Sequence, residues 1–213
     1  MKMNKFIPVV AALSAIIAFA PSCSDDPTPD EGGGTTTENL EVKSFTLSRK
    51  TDYGNDWIYF SFKEGKEVTV DESKHATDLT WDVAFNRYNV RTNSGESGAG
   101  KGGALDTEKT DITLIETVPS GTFIEDEKGE ITASFTGEGV TTVESTLNKL
   151  LGEAIVFAGP PPTYTPNDHV YIVKTADGKY AKFTIESFYN DEGVSGFLTF
   201  KYAYQPDGST NLK

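Results

Sequence analysis

One cysteine, two histidines and two methionines are all the sulfur and imidazole that 213 residues supply. Both methionines, Met1 and Met3, lie at the extreme N-terminus, and Cys23 has no second thiol to pair with. An internal disulfide is therefore excluded, and core packing must hold the fold. With only His75 and His169 available, no Ser-His-Asp or Cys-His arrangement can be argued from spacing. Neither an HExxH run nor a DxDxDG loop occurs, which removes two common metal sites. Carboxylates are abundant, but nothing singles out two of them as a glycosidase pair. An enzyme is accordingly not expected. Basic charge is scarce too: 19 Lys and Arg stand against 32 Asp and Glu, a net −13. Nucleic acid must be met by a basic face, so no nucleic-acid partner is expected. An acidic surface serves solubility and by itself names no substrate.

Long apolar runs are limited to residues 6–19, behind Lys2 and Lys5 and ahead of Ala20-Pro21-Ser22-Cys23. That run is too short for a stable membrane span. The order of basic, apolar and small residues predicts a lipoprotein signal peptide over residues 1–22, with Cys23 lipidated as the new N-terminus. More than one acyl chain on Cys23 makes such an anchor stable. Residues 23–38 are acidic and rich in Pro, Gly and Thr, which predicts a disordered tether. Ser24-Asp25-Asp26 resembles the acidic export signal that sends some anaerobes' lipoproteins to the outer cell surface. The expected location is the outer membrane, lipid-anchored and surface-exposed, with membrane contact through the anchor only. Loss of Lys2 and Lys5 with the leader takes the charge from −13 to −15. Residues 39–213 suffice for one domain with a proper core.

Within that domain strand signals dominate. Alternation with aromatic and β-branched residues predicts strands over 42–48, 57–63, 67–70 and 80–92. Shorter runs follow at 111–116, 130–135 and 154–157. A C-terminal meander covers 169–175, 179–188 and 196–204, with Asp177-Gly178 as a hairpin turn. Val140, Val143, Leu147, Leu150 and Leu151 fall at helical spacing before Gly152, which predicts one amphipathic helix over 142–151. The fold class is all-β with that single helix, and no fixed-period repeat is visible.

The most informative stretch runs from Trp81 to Ala104. Trp81, Val83 and Phe85 alternate with Asp82, Ala84 and Asn86, so the two sets are expected on opposite faces of one strand. Arg87 and Arg91 share parity on it. Glycines 95, 98, 100, 102 and 103 then crowd a loop in which several positive φ values are expected. Gly95, Gly100 and Lys101 match a Walker A loop up to its last position, where Gly102 replaces the Ser or Thr that would hold Mg²⁺. No helical apolar stripe follows, so this is not a nucleotide site.

The pattern W-D-[VIM]-A-[FL]-x-R-Y-[DN]-V-R-x-N-x-G-x-S-G-x-G-x-G-G-A resembles the signature of the HmuY-like haemophores, secreted lipoproteins that capture haem. The resemblance implies an all-β HmuY-like fold holding haem between strand pairs. It further implies two axial ligands, His or Met. One falls after the 130–135 strand and the other just before a Gly-Pro-rich turn ending in Pro-Thr-Tyr. Here that turn is Gly159-Pro160-Pro161-Pro162-Thr163-Tyr164, and Ala158 stands at the ligand position. Residues 136–142 contain neither His nor Met, so neither family ligand carries over. The candidate ligand-binding residues are Tyr164, His169, Phe157 and Arg91, with His75 and Arg87 behind them. A phenolate at Tyr164 or an imidazole at His169 can ligate iron, and Arg87 or Arg91 can pair with propionates. The expected function is a surface lipoprotein that binds haem, weakly or with non-standard ligation, or a related tetrapyrrole. It would pass the ligand to a TonB-dependent outer-membrane receptor. The alternative is a diverged module of the same fold that recognises another apolar molecule, a glycan or a protein.

Overall fold

The computed structural model of the chain describes residues 39–48, 54 and 56–213. The expected signal peptide and tether, with Cys23, lie outside the described residues. In chain order the strands are β1 (Lys43–Thr46), β2 (Ile58–Ser61), β3 (Lys66–Val68), β4 (Val83–Asn86) and β5 (Asn89–Thr92). Then come β6 (Gly103–Lys109), β7 (Glu127–Thr136), β8 (Gly139–Leu147) and a single helical turn, α1 (Lys149–Gly152). The chain closes with β9 (Ile155–Ala158), β10 (Thr163–Pro166), β11 (Val170–Lys174), β12 (Tyr180–Tyr189) and β13 (Ser195–Gln205).

Two antiparallel sheets face each other, ordered β1-β13-β12-β11-β6 and β3-β2-β4-β5. Strand periodicity fills the space between them. Phe60, Val83, Phe85 and Val90 point in from the smaller sheet, and Tyr171, Phe183 and Phe200 from the larger one. Phe60 and Phe200 meet edge to face at 5.1 Å, and Phe85 stacks on Phe200 at 5.4 Å. Each such ring contributes roughly 2 to 3 kcal/mol by leaving water. The intervening positions face outward into two further clusters. Trp57, Tyr59, Trp81 and Ala84 form one, roofed by Ile131 of β7 and flanked by Val143 and Leu147 of β8. Val170 and Ile172 form the other with Ile112, Ile115 and Leu212. Lys182 fastens that second cover, its buried ammonium donating to the Ile115 and Leu212 carbonyls at 3.2 and 2.9 Å.

Two ribbons stand apart from the sheets, β7-β8 and β9-β10. The first corrects the expected helix over 142–151. Val140, Thr141, Thr142, Val143 and Thr146 are β-branched and stiff at χ1, and nine residues from Gly139 pair with β7 instead. Only Lys149–Gly152 is helical, capped by the Asn148 side chain, which accepts from the Leu151 amide at 3.1 Å. Residues 111–116 form no strand either. Asp111 accepts from the Thr113 amide and closes a 3₁₀ turn at Ile112–Leu114. The predicted strand 80–92 is really a hairpin, with Asn86 paired to Asn89 across Arg87-Tyr88. Trp81 lies before β4 and packs beside Tyr59, on the opposite face from Val83 and Phe85. The strands β6 and β10 had no clear signal in the sequence, since glycines open one and the Thr163–Pro166 segment ends the other in proline.

Candidate functional site

The motif from Trp81 to Ala104 folds around two buried polar side chains. Asp82 accepts from the Phe62 amide at 2.8 Å and the Ala176 amide at 3.0 Å, tying β2 to the β11–β12 turn. Burial raises its pKa above the ordinary 3.8, against the pull of those amides. Asn93 donates to the Asp78 and Trp81 carbonyls at 2.8 and 2.9 Å and accepts from the Gly100 amide at 3.0 Å. The glycines exist because the loop wraps this asparagine at backbone distance. A Cβ on Gly102 would sit 2.6 Å from the Asn93 carbonyl oxygen, and one on Gly100 2.5 Å from it. Positive φ occurs only at Gly95 and Gly103 in this loop, so close approach rather than backbone hand accounts for the others. The loop runs directly into β6, and its amides are turned inward, those of Gly100 and Gly102 to Asn93 and that of Lys101 to the Ala176 carbonyl.

Arg91 and Asp126 lock the base of the β7-β8 ribbon. The Arg91 guanidinium lies 3.9 Å from the Trp57 ring centroid and pairs with Glu72 at 2.9 Å. It also donates to the Thr146 carbonyl at 2.9 Å and Ser145 Oγ at 3.0 Å, both on β8. At 3 % exposure it is a scaffold residue. Tyr59 shares the cluster, its hydroxyl donating to Glu72, and burial drives its pKa far upward. Asp126 accepts from the Thr92 amide and hydroxyl and from Asn148 Nδ2 at 3.0 Å. Burial pushes its carboxyl up to about 6, against those hydrogen bonds.

A concave site with open apolar walls lies where three elements meet: the β4–β5 turn, the outer half of β7-β8, and β9-β10. Between them is a cleft of about 250 Å³ lined by Arg87, Tyr88, Phe135, Val140, Phe157 and Tyr164, with Thr132 and Pro162 at its margin. Ribbon register explains the walls. Phe135 pairs across to Val140, and Phe157 to Tyr164. Tyr88 stacks on Phe157 with ring planes 21° apart, and Tyr164 packs on Phe157 at 5.3 Å and Phe188 at 4.7 Å. Arg87 takes φ +54 in the turn, a conformation disfavoured for a residue with a Cβ. Its Nη2 donates to the Tyr164 hydroxyl at 2.8 Å, and its guanidinium lies 5.6 Å from the Tyr88 ring centroid. Phe135, Val140 and Phe157 are 61, 55 and 52 % exposed, an unusual openness for large apolar side chains facing one cleft.

Of the residues singled out from sequence, Phe157 and Tyr164 line this cleft together with Arg87. Ala158 ends β9 beside the turn, where the Pro160–Pro161 bond is cis. His169 lies elsewhere, its Nδ1 2.8 Å from Asp106 on the neighbouring strand. His75 Nδ1 is 2.6 Å from the Glu72 carbonyl, on the far side of the Trp81 cluster. Arg91 does not share a face with Arg87, because the chain turns back between them and the guanidinium is consumed by Glu72, Trp57 and β8. Sequence reasoning missed Tyr88, Phe135 and Val140. Phe135 and Val140 flank Thr136-Gly137-Glu138-Gly139, a hairpin turn whose signal was hidden by reading Val140 as the start of a helical stripe. Among the described residues no group of His, Cys, Asp or Glu is arranged to hold a metal ion.

The HmuY protein family matches residues 53–202. An HmuY-like candidate haem-binding protein from Bacteroides vulgatus is 27 % identical, with 76 % of this chain and 91 % of that one covered at a TM-score of 0.63. A candidate lipoprotein from Bacteroides fragilis is 23 % identical over 78 % of this chain and 91 % of its own, also at 0.63. An apo HmuY analogue from Tannerella forsythia is 21 % identical over 79 % and 99 %, at 0.64. The last two show likeness of fold alone. Among curated proteins none matches significantly.

Proposed function

Because the chain belongs to the HmuY family, we propose that it is a surface lipoprotein that binds haem or a related tetrapyrrole in the cleft between its two ribbons. The observation that carries the reading is the cleft itself. Open aromatic and aliphatic walls converge on it, and its ribbon residues lie beside the Ala158 and 136–142 positions that the resemblance marks, with Arg87 and Tyr88 added from the β4–β5 turn. Phe157 and Tyr88 offer ring faces, Phe135 and Val140 an apolar wall, and Arg87 a cation suited to carboxylates. A cleft of about 250 Å³ takes part of a macrocycle and leaves the rest exposed. A binding role needs no catalytic groups, and the protein would hand its cargo to a TonB-dependent outer-membrane receptor.

The same proposal covers the chain's organisation: residues 1–22 as signal peptide, Cys23 as the lipidated residue, 23–38 as tether and 39–213 as the binding domain. No helix among the described residues is long and apolar enough to cross a membrane. Titration with haemin, followed at the Soret band, tests the binding reading, and a saturable shift is expected. Labelled fatty acid should be incorporated by wild type and not by Cys23→Ala. Absence of label in wild type would remove the anchor.

A further inference from the structure

We infer that this cleft holds the macrocycle by its faces and acidic edge and draws nothing from the iron at its centre, so that metal-free porphyrin binds as tightly as haem. The inference rests on the tetrapyrrole reading above and concerns what the metal does within it.

Iron held by protein needs an imidazole, sulfur or phenolate donor. The imidazole and sulfur donors of this chain are few. Met1, Met3 and Cys23 precede the domain, and residues 49–53 and 55 contain no His, Met or Cys. His75 is turned to the Glu72 carbonyl and stands 6.4 Å from the Tyr59 ring, in the cluster beneath the β7-β8 base. His169 is paired with Asp106. Both imidazoles are thus engaged away from the cleft, and no sulfur lies among the described residues.

Phenols remain among the described lining residues. Tyr164 is 7 % exposed, and its hydroxyl receives the Arg87 hydrogen bond. Ligating iron would require it to leave the packing of Phe157, Phe188 and Tyr189. Tyr88 is half-buried and presents its ring, stacked on Phe157, rather than a poised oxygen. What the cleft does offer is stacking, apolar burial and the Arg87 charge. All three act on the organic ring and its carboxylates whether or not a metal sits at the centre. Ligation alone would favour the iron form, and no donor is built for it among the described lining residues.

The test titrates the purified protein with ferric protoporphyrin IX and with metal-free protoporphyrin IX, reading the Soret band of each. The two dissociation constants should agree within about threefold, against the tenfold or more that a good ligand would add. The haem complex should show no six-coordinate low-spin spectrum. Phe157→Ser and Val140→Asp should weaken both macrocycles together, by tenfold or more. Haem binding tenfold tighter than the metal-free ring overturns the inference while leaving the tetrapyrrole reading intact. If neither macrocycle binds, the tetrapyrrole reading fails and the inference falls with it.

Discussion

Residues 81–104 and the paired ribbon tips treat their side chains in opposite ways. In the motif, Asp82, Arg91 and Asn93 are buried and aimed at the protein's own backbone and neighbours. In the ribbons, Phe135, Val140 and Phe157 face outward with more than half their surface open. The first region is over-determined and the second under-filled. Buried polar groups cost several kcal/mol unless every partner is in place, so they tolerate few sequences. An apolar wall needs only size and hydrophobicity, so many sequences serve. The stretch most easily recognised is therefore scaffold, while the cleft proposed to meet a ligand has no motif of its own.

The largest expected effect strikes the scaffold. Gly102→Val should destabilise the protein by about 3 kcal/mol or more, because its Cβ would stand 2.6 Å from the Asn93 carbonyl oxygen and the loop has no room to retreat. A thermal melt should show a fall of roughly 6 to 12 °C. An unchanged midpoint would mean that the loop is loose, and the contrast between the two regions would collapse.

Arg91→Ala comes next, at about 2 to 3 kcal/mol, since it removes the Glu72 pair, the Trp57 face contact and the fastening of β8. Arg91→Lys should recover little, because an ammonium cannot fork between Thr146 and Ser145 while lying on a ring. Denaturant curves measure this. Porphyrin affinity of the folded fraction should not move. A loss of affinity with stability intact would make Arg91 a propionate ligand and shift the site to the base of the ribbon.

Asp126 sharpens the comparison through pH. Its carboxyl rises from 3.8 to about 6 on folding, with burial as the first cause. Between those values the folded protein keeps a proton that the unfolded chain has released. Stability contributed by this group is therefore greatest below about pH 4 and falls as pH rises through 6. Relative to Asp126→Asn, wild type should lose on the order of 2 kcal/mol between pH 4 and 7. Carboxylates held low, such as Asp111 by Thr113, slope the other way and are common to both proteins. Parallel unfolding curves across that range would show that Asp126 is hydrated and the motif end less dry than its hydrogen bonds suggest.

Much of the sheet framework was legible because burial on one side leaves a period of two, as in the alternation of β12 and β13. The β7-β8 ribbon was not, because Val140, Val143 and Leu147 satisfy helical spacing as well as strand pairing once the ribbon packs only at its base. The hairpin at Arg87-Tyr88 was hidden for a different reason. Positive φ there is carried by an arginine and stabilised by contacts with Tyr164, which is distant in sequence, instead of by the glycine or asparagine that announces such turns. Of the cleft, Tyr164 and Phe157 were legible through the proline turn beside them. Tyr88, Phe135 and Val140 became visible only when three separate elements converged.

The smallest expected effect belongs to His169→Ala. Its partner Asp106 is close, but the imidazole is 36 % exposed at the edge of the larger sheet, where solvent screens the pair. Loss of stability should stay below about 1 kcal/mol. Because the ring is bound to Asp106 and lines none of the cleft, haem affinity and the haem spectrum should be unchanged. Isothermal titration of the variant against wild type measures the first, and absorbance the second. A tenfold loss of haem affinity would mean that the ring swings away from Asp106 to meet iron. Such a result would join the under-filled cleft to the sheet edge and leave the metal, after all, with a ligand of its own.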